Sequence, residues 1–278
     1  MLKWDKRRQN MKNKLLGKVA VITGASSGIG YAIAKRLNEQ GVKCYDISRT
    51  VRPHDEIKKA FSCDVNDTEK VDEILQEIFD KEGYIDIFIN NAGFGIAGAV
   101  EFAKEENIYS LVNTNLSAVI ALSGRAIKYL KKTCGNIINI SSVGGVIPLP
   151  VQATYSATKA GVEIFSKALA NEVRPYKIKV TAILPGDTST GFTNSRIIDN
   201  ETDDEKLKGQ IDRSIRKVEK DERQGKSPDS VAKVVVKVLK KKRPPLRKTV
   251  GFFYKCAVFL PRILSCKFVN FIVRKLYC

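Results

Sequence analysis

The chain has one histidine, His54, and none of its six cysteines forms a C-x-x-C pair. It therefore offers neither the ligand set of a structural zinc site nor the spacing of a secreted disulfide scaffold. No stretch reaches the roughly 18–20 apolar residues needed to cross a bilayer. The N-terminal MLKWDKRRQNMKNK has no apolar run following its charges, as a secretory signal would, so the expected location is cytoplasmic. Acidic side chains are absent from residues 233–278, which carry thirteen Lys or Arg.

That last absence localises the charge. Residues 1–18 hold seven Lys or Arg against one Asp, and residues 19–232 hold 28 basic and 29 acidic residues, so the net charge of +18 belongs to the two ends. A near-neutral body is a poor match to a nucleic-acid-binding fold, and no specific nucleic-acid-reading module is recognisable. It fits a catalytic body whose basic ends meet something anionic, such as lipid headgroups. With 278 residues, 43% of them hydrophobic, the chain can bury one substantial core.

What is present is an alternation of short apolar runs and helical patterns. Residues 18–23, KVAVIT, read as a buried strand, and residues 31–40 carry Ile33, Ala34 and Leu37 at helical spacing. Gly41 ends that helix and residues 42–47 form a second strand. Residues 68–79 place Val71, Ile74, Leu75 and Ile78 on one helical face before a strand at 85–89. Helices near 109–130, 155–173 and 230–239 and strands at 136–140 and 178–183 continue the pattern. It predicts an α/β, Rossmann-type three-layer fold with a mostly parallel central sheet. No Pro/Gly-rich linker divides it, so one catalytic domain is expected over residues 18–250, after a basic extension (1–17) and before a basic, hydrophobic tail (251–278). Residues 187–226 are polar, break the rhythm and follow a strand end; they are expected to form a substrate lid or a solvated helix pair.

Gly24, Gly28 and Gly30 stand between the first strand and the first helix, in Thr23-Gly-Ala-Ser-Ser-Gly-Ile-Gly30. A Cβ at these positions would obstruct a tight turn or hold the backbone away from a pyrophosphate, which the helix N-terminus attracts. This strand–turn–helix context predicts dinucleotide binding. At the end of the second strand, an acid would bond the 2′-hydroxyl of NAD; here stand Ser48 and Arg49, a hydroxyl and a guanidinium suited to the 2′-phosphate of NADP(H). Asp46 lies two residues earlier on the same strand face.

Tyr155 and Lys159 share a helical face, and Ser141 and Ser142 follow an apolar strand at the edge where open sheets bind ligands. A carbonyl oxygen must be protonated as hydride arrives, or an alcohol deprotonated as hydride leaves. A phenol with a pKa of about 10 suits this once a nearby ammonium and the cation of oxidised nicotinamide lower it. Lys159 is expected to supply the ammonium, and Ser142 to orient the substrate oxygen toward Tyr155.

Over residues 17–245 these motifs resemble the classical short-chain dehydrogenase/reductase family. The resemblance implies cofactor contacts from Gly24, Ser26, Ser27, Gly28, Ile29 and Gly30 in the turn. It adds Asp64 and Val65 beside the adenine, and Asn91, Ala92 and Gly93 in Asn90-Asn-Ala-Gly93. It also implies Pro185, Gly186, Thr188 and Thr190 near the nicotinamide. It assigns a catalytic tetrad of Asn115, Ser142, Tyr155 and Lys159, with Asn115 holding a water in a proton relay and both Tyr155 and Lys159 touching the cofactor. Ser142-Val-Gly-Gly145 followed by Leu149-Pro150 is similar to 17-beta-hydroxysteroid and retinol dehydrogenases. A homodimer or homotetramer through the helices near 109–130 and 155–173 is the implied assembly.

Residues 251–278 mix aromatics and aliphatics with five Lys or Arg, and Pro261 divides them. Ile263, Leu264, Phe268, Phe271 and Ile272 are expected to share a face. The tail then either lies in a headgroup layer with its basic groups snorkelling outward, giving peripheral membrane association, or packs over the pocket or a partner subunit. The leading expectation is NADP(H)-dependent reduction of a ketone or aldehyde on a lipophilic substrate: a steroid, a retinoid or a long-chain keto-lipid. The alternatives are reduction of 3-oxoacyl groups on a carrier protein or of another small ketone, and a noncatalytic dinucleotide sensor, which would not need the tetrad.

Overall fold

The computed structural model describes residues 14–199, 201–202 and 204–278; residues 1–13 of the expected basic extension lie outside them. Among the described residues, β1 (Val19–Thr23), β2 (Lys43–Ser48), β3 (Lys59–Ser62), β4 (Ile87–Asn90), β6 (Asn136–Ile140), β7 (Lys179–Leu184) and β9 (Arg247–Thr249) form one sheet. Its order is β3-β2-β1-β4-β6-β7-β9 and every pairing is parallel. Strand order reverses between β1 and β4, which opens a crevice beyond their C-terminal ends.

Strand alternation assigns side chains to two cores. Val19 and Val21 enter one with Val71, Ile74 and Leu75 of α2 (Thr68–Glu82) and Leu122 and Ala126 of α4 (Ala118–Leu130). Ala20 and Ile22 enter the other with Ile33 and Leu37 of α1 (Gly28–Asn38) and Val231 and Val235 of α7 (Pro228–Leu239). Full burial of each large aliphatic side chain contributes about 1.5–3 kcal/mol. The three-layer arrangement is thus the one the apolar strands require.

Several elements differ from expectation. The helix expected near 109–130 is α3 (Glu105–Val112) and α4 joined by a π-helical turn, Asn113–Ser117. The edge strands β3 and β9 lacked any apolar run to announce them, and a separate parallel pair, β5 (Ile96–Gly98) with β8 (Ile197–Asp199), lies outside the alternating pattern. Within residues 187–226, β8 is followed by α6 (Glu205–Arg223), whose N-cap Asp204 accepts from the Lys206 and Leu207 amides at 2.9 and 3.1 Å. Ile211 and Ile215 of α6 pack against Ala97 of β5, with Val151 alongside, anchoring this segment beside the approach to α5 (Ala153–Glu172).

The tail folds back as α8 (Phe252–Phe259) and α9 (Cys266–Tyr277). Val258 is buried against Ala182 and Leu184 of β7, and Ser214 Oγ donates to the Tyr277 carbonyl at 2.6 Å. The inward stripe of α9 is Val269 and Val273, whereas Phe268 and Phe271 are exposed. The expected face is therefore displaced. With apolar residues on most of its circumference, α9 takes its orientation from the lid it meets, and spacing alone did not choose it.

Candidate active site

The crevice past β1 and β4 is a cleft of about 1380 Å³. Its floor begins at the glycine turn. Gly24 and Gly28 have φ of +71° and +58°, the left-handed region that glycine adopts without strain. A Cβ at Gly30 would stand 2.2 Å from the Gly24 carbonyl oxygen, so this third glycine allows the turn to close. Asn91 Nδ2 donates to the Thr23 and Gly24 carbonyls at 2.9 and 3.0 Å, and Thr23 Oγ1 accepts from the Asn91 and Ala92 amides at 3.0 Å each. The Asn90-Asn-Ala-Gly93 segment thus braces the turn from the neighbouring strand.

Gly24, Ser26, Ser27, Gly28, Ile29, Ser48, Arg49, Asp64, Val65, Asn91, Ala92 and Gly93 all line this half of the cleft. Gly30 does not; it sits behind the turn. Asp46 is fully buried, accepting from the Ala25 amide at 2.7 Å and from Ser48 Oγ at 2.7 Å. Both bonds fall on Oδ1, which holds the turn and the Ser48 hydroxyl, while Arg49 beyond it is exposed. The glycine cradle, the open helix N-terminus and the basic rim fit a nicotinamide dinucleotide.

The other half holds the proton-transfer groups. Ser142 ends the β6 strand region and its Oγ accepts from the Gly144 amide at 3.0 Å. Ser141 Oγ donates to the Lys159 carbonyl at 2.7 Å, tying α5 to β6. Lys159 is buried, donates from Nζ to the Ile140 carbonyl at 3.0 Å, and lies 5.8 Å from the centre of the Tyr155 ring. Ser142, Tyr155, Lys159, Pro185, Gly186, Thr188 and Thr190 all line the cleft. Asn115 stands behind the wall, in the π-helical turn, fully buried. Its carboxamide accepts from the Phe94 amide at 3.1 Å and donates to the Phe94 carbonyl at 2.8 Å.

The expected lowering of the Tyr155 pKa is not found in the protein alone. Burial pushes the phenol up to about 12, with Ser142 hydrogen bonding and Arg196 offsetting part of that rise and Glu222 adding to it. Burial also pushes the Lys159 ammonium down, to about 8. Desolvation is the largest influence on Tyr155 and the one cause of the Lys159 shift. Tyr155 is accordingly a neutral phenol at pH 7, poised to donate.

Spacing did not reveal several cleft residues. Gln152 is 5% exposed, faces the cleft three residues before Tyr155, and its Nε2 has no hydrogen-bond partner. Phe192 meets the Tyr155 ring edge-on at 5.9 Å. Beneath it, Arg196 pairs with Glu222, which also accepts from Thr193 Oγ1 at 2.7 Å, clamping the two arms of the lid. The tail closes the far wall with Tyr254, Leu264, Val269, Ile272 and Val273. Such contacts join residues far apart in sequence and leave no periodic trace.

The fold is shared with known proteins. The chain belongs to the short-chain dehydrogenase family, whose model matches residues 18–201. It is an oxidoreductase that acts on a carbonyl/alcohol pair. Among its relatives is a 3-ketodihydrosphingosine reductase of Bacteroides thetaiotaomicron, 40% identical over an alignment of 252 residues that covers 87% of this chain and 93% of that protein. A 3-oxoacyl-[acyl-carrier-protein] reductase of Haemophilus influenzae is 36% identical over 64% of this chain and 76% of its own length. Among solved structures, a short-chain dehydrogenase from Streptomyces avermitilis superposes with a TM-score of 0.77, at 26% identity, covering 93% of this chain and 96% of that one. A 3-ketoacyl-(acyl-carrier-protein) reductase from Brucella melitensis, complexed with NADH, gives a TM-score of 0.70 at 28% identity, over 85% and 98% of the two chains.

Proposed function

We propose that this protein is an NADPH-dependent reductase of a ketone carried near the polar end of a long acyl chain. The observation that carries the reading is the tail. Leu264, Val269, Ile272 and Val273 extend the cleft past Tyr155 with an apolar wall, and the 3-ketodihydrosphingosine reductase matches this chain over 252 residues, well past the family model's end at residue 201. That favours an acyl chain over the steroid or retinoid expected from the Ser142–Gly145 stretch.

The bound dinucleotide supplies the hydride. Gly24, Ser26, Ser27, Gly28 and Ile29 would hold its pyrophosphate, and Ser48 and Arg49 the 2′-phosphate. Asp64, Val65, Asn91, Ala92 and Gly93 would bound the adenosine side, and Pro185, Gly186, Thr188 and Thr190 the nicotinamide side. Tyr155 donates its phenolic proton to the carbonyl oxygen, Ser142 holds that oxygen, and Lys159 would hold the cofactor's ribose. Asn115 positions Phe94 and Gly93 through the π-helical turn. The unpartnered Gln152 amide offers a donor to a polar group beside the ketone, since a buried donor left unmet is costly.

A second reading, reduction of 3-oxoacyl thioesters on a carrier protein, is favoured by the carrier-protein reductases among the relatives. The test is NADPH oxidation with 3-ketodihydrosphingosine, 3-oxoacyl thioesters, keto-steroids, retinal and small ketones, with Tyr155→Phe as control. The proposal expects turnover on the long-chain amino ketone, lost in Tyr155→Phe with NADPH binding retained. Turnover on the thioesters alone transfers the assignment to the second reading, and an active Tyr155→Phe removes the proton donor.

A further inference from the structure

The two tail helices also turn large apolar side chains out to solvent. Phe252 and Phe253 are 79% and 75% exposed, and Ile263 is 65% exposed. Phe268 and Phe271 stack with ring centres 6.4 Å apart on the outward side of α9. A folded chain seldom leaves this much apolar surface contiguous without a use for it.

The charge beside it is of one sign. Lys255, Arg262, Lys267, Arg274 and Lys275 are all exposed, and among the described residues no acidic side chain forms an ion pair with any of them. Residues 233–278 contain no Asp or Glu at all. A self-complementary protein contact would bring these cations against their own copies, at an electrostatic cost, whereas an anionic lipid surface attracts every one of them. No described helix is long and apolar enough to cross a membrane, so the geometry is that of helices lying in the headgroup layer.

Position adds a third argument. Phe253, Leu260 and Leu276 are exposed and also line the cleft. These three residues place exposed apolar surface at the mouth of the cleft.

We infer that α8 and α9 dock this protein on an anionic lipid surface, with Phe268 and Phe271 entering the interface and the five basic side chains meeting headgroup phosphates. This goes beyond the catalytic reading, because docking needs no turnover. The mouth of the cleft then opens against the bilayer, and a substrate with a long acyl chain can enter without crossing water.

The test is flotation of the full chain with vesicles of phosphatidylcholine alone or mixed equally with phosphatidylglycerol, alongside native mass in solution. Two variants separate the contributions: Lys267→Gln/Arg274→Gln/Lys275→Gln, and Phe268→Ser/Phe271→Ser. The wild-type protein is expected on the anionic vesicles and not on the neutral ones. The charge variant should bind about a hundredfold more weakly, from about a fivefold loss per basic group near the surface. The apolar variant should also be weakened, and both should keep wild-type native mass and NADPH binding. No binding to anionic vesicles, binding insensitive to both variants, or a fall in native mass in either variant would overturn the inference; the last would make the surface a subunit contact. A protein that docks but reduces no long-chain ketone would leave this inference standing and refute the catalytic reading.

Discussion

The ring of Tyr254 lies against the backbone of Gly186: a Cβ on that glycine would stand 2.3 Å from Cε2 of the ring. The phenol then donates to Asp187 Oδ2 at 2.5 Å. A residue of the tail is thereby keyed into the segment that follows β7 and borders the nicotinamide half of the cleft.

Tyr254→Phe keeps the ring and removes the donor. Burial raises the Asp187 pKa and the Tyr254 hydrogen bond lowers it, so the variant leaves a carboxylate that is harder to keep charged. A loss of about 1.5–3 kcal/mol is expected in urea unfolding, the range for hydrogen bonds to charged groups. Proteolysis within residues 251–278 should accelerate as well. Unchanged stability and cleavage would show that Tyr254 does not hold the tail.

Ser142→Ala removes the hydrogen bond that partly offsets the raised pKa of Tyr155. The phenol should become a weaker acid and the substrate oxygen lose its second contact. Turnover is expected to fall by about a hundredfold or more, within the range of positioned acid–base groups, while NADPH affinity measured by fluorescence titration stays within error. An equal loss in NADPH affinity would place Ser142 in cofactor binding.

Arg49→Asp puts a carboxylate beside the proposed 2′-phosphate site. NADPH should bind at least about tenfold more weakly, the effect of roughly 1.4 kcal/mol, with NADH affected much less. A preference ratio that does not move would remove Arg49 from cofactor selection.

Lys159 predicts a pH signature in the cofactor-free protein. Its ordinary pKa is 10.5 and burial lowers it to about 8 in the folded chain. Below pH 8 the ammonium is charged in both states, and folding bears its desolvation. Between pH 8 and 10.5 the unfolded chain binds more protons, so this group makes stability rise with pH; above 10.5 the cost is gone. The wild-type-minus-Lys159→Met stability difference should rise across that window, by an amount on the order of 3 kcal/mol. Losing the bond to Ile140 shifts the curves by a constant and leaves the slope intact. Parallel curves would contradict the buried charge.

The central strands were legible because burial on both faces makes them predominantly apolar, as in Val19–Thr23 and, around the buried Asn139, Asn136–Ile140. Edge strands escape that signal: β9 is Arg-Lys-Thr and pairs on one side only. The site residues were legible where their chemistry depends on local spacing, as with Tyr155 and Lys159 or the three glycines. Gln152, Phe192, the Arg196–Glu222 pair and Tyr254 act through contacts across the fold, and the sequence around them carries no mark of it. The raised pKa of Tyr155 in the cofactor-free protein was not legible for a related reason. Proximity to Lys159 is readable from spacing, but the desolvation that dominates both groups is set by everything packed around them.

The π-helical turn between α3 and α4 has its own consequence. One extra residue in a continuous rod rotates everything beyond it by about 100°. In this molecule the turn carries Asn115 to Phe94 between α3, which packs on α5, and α4, which packs chiefly on α2. Shortening residues 113–117 by one would leave every flanking side chain in place by name and misaim half of them. The segment is therefore constrained by its length as firmly as by the amide it carries.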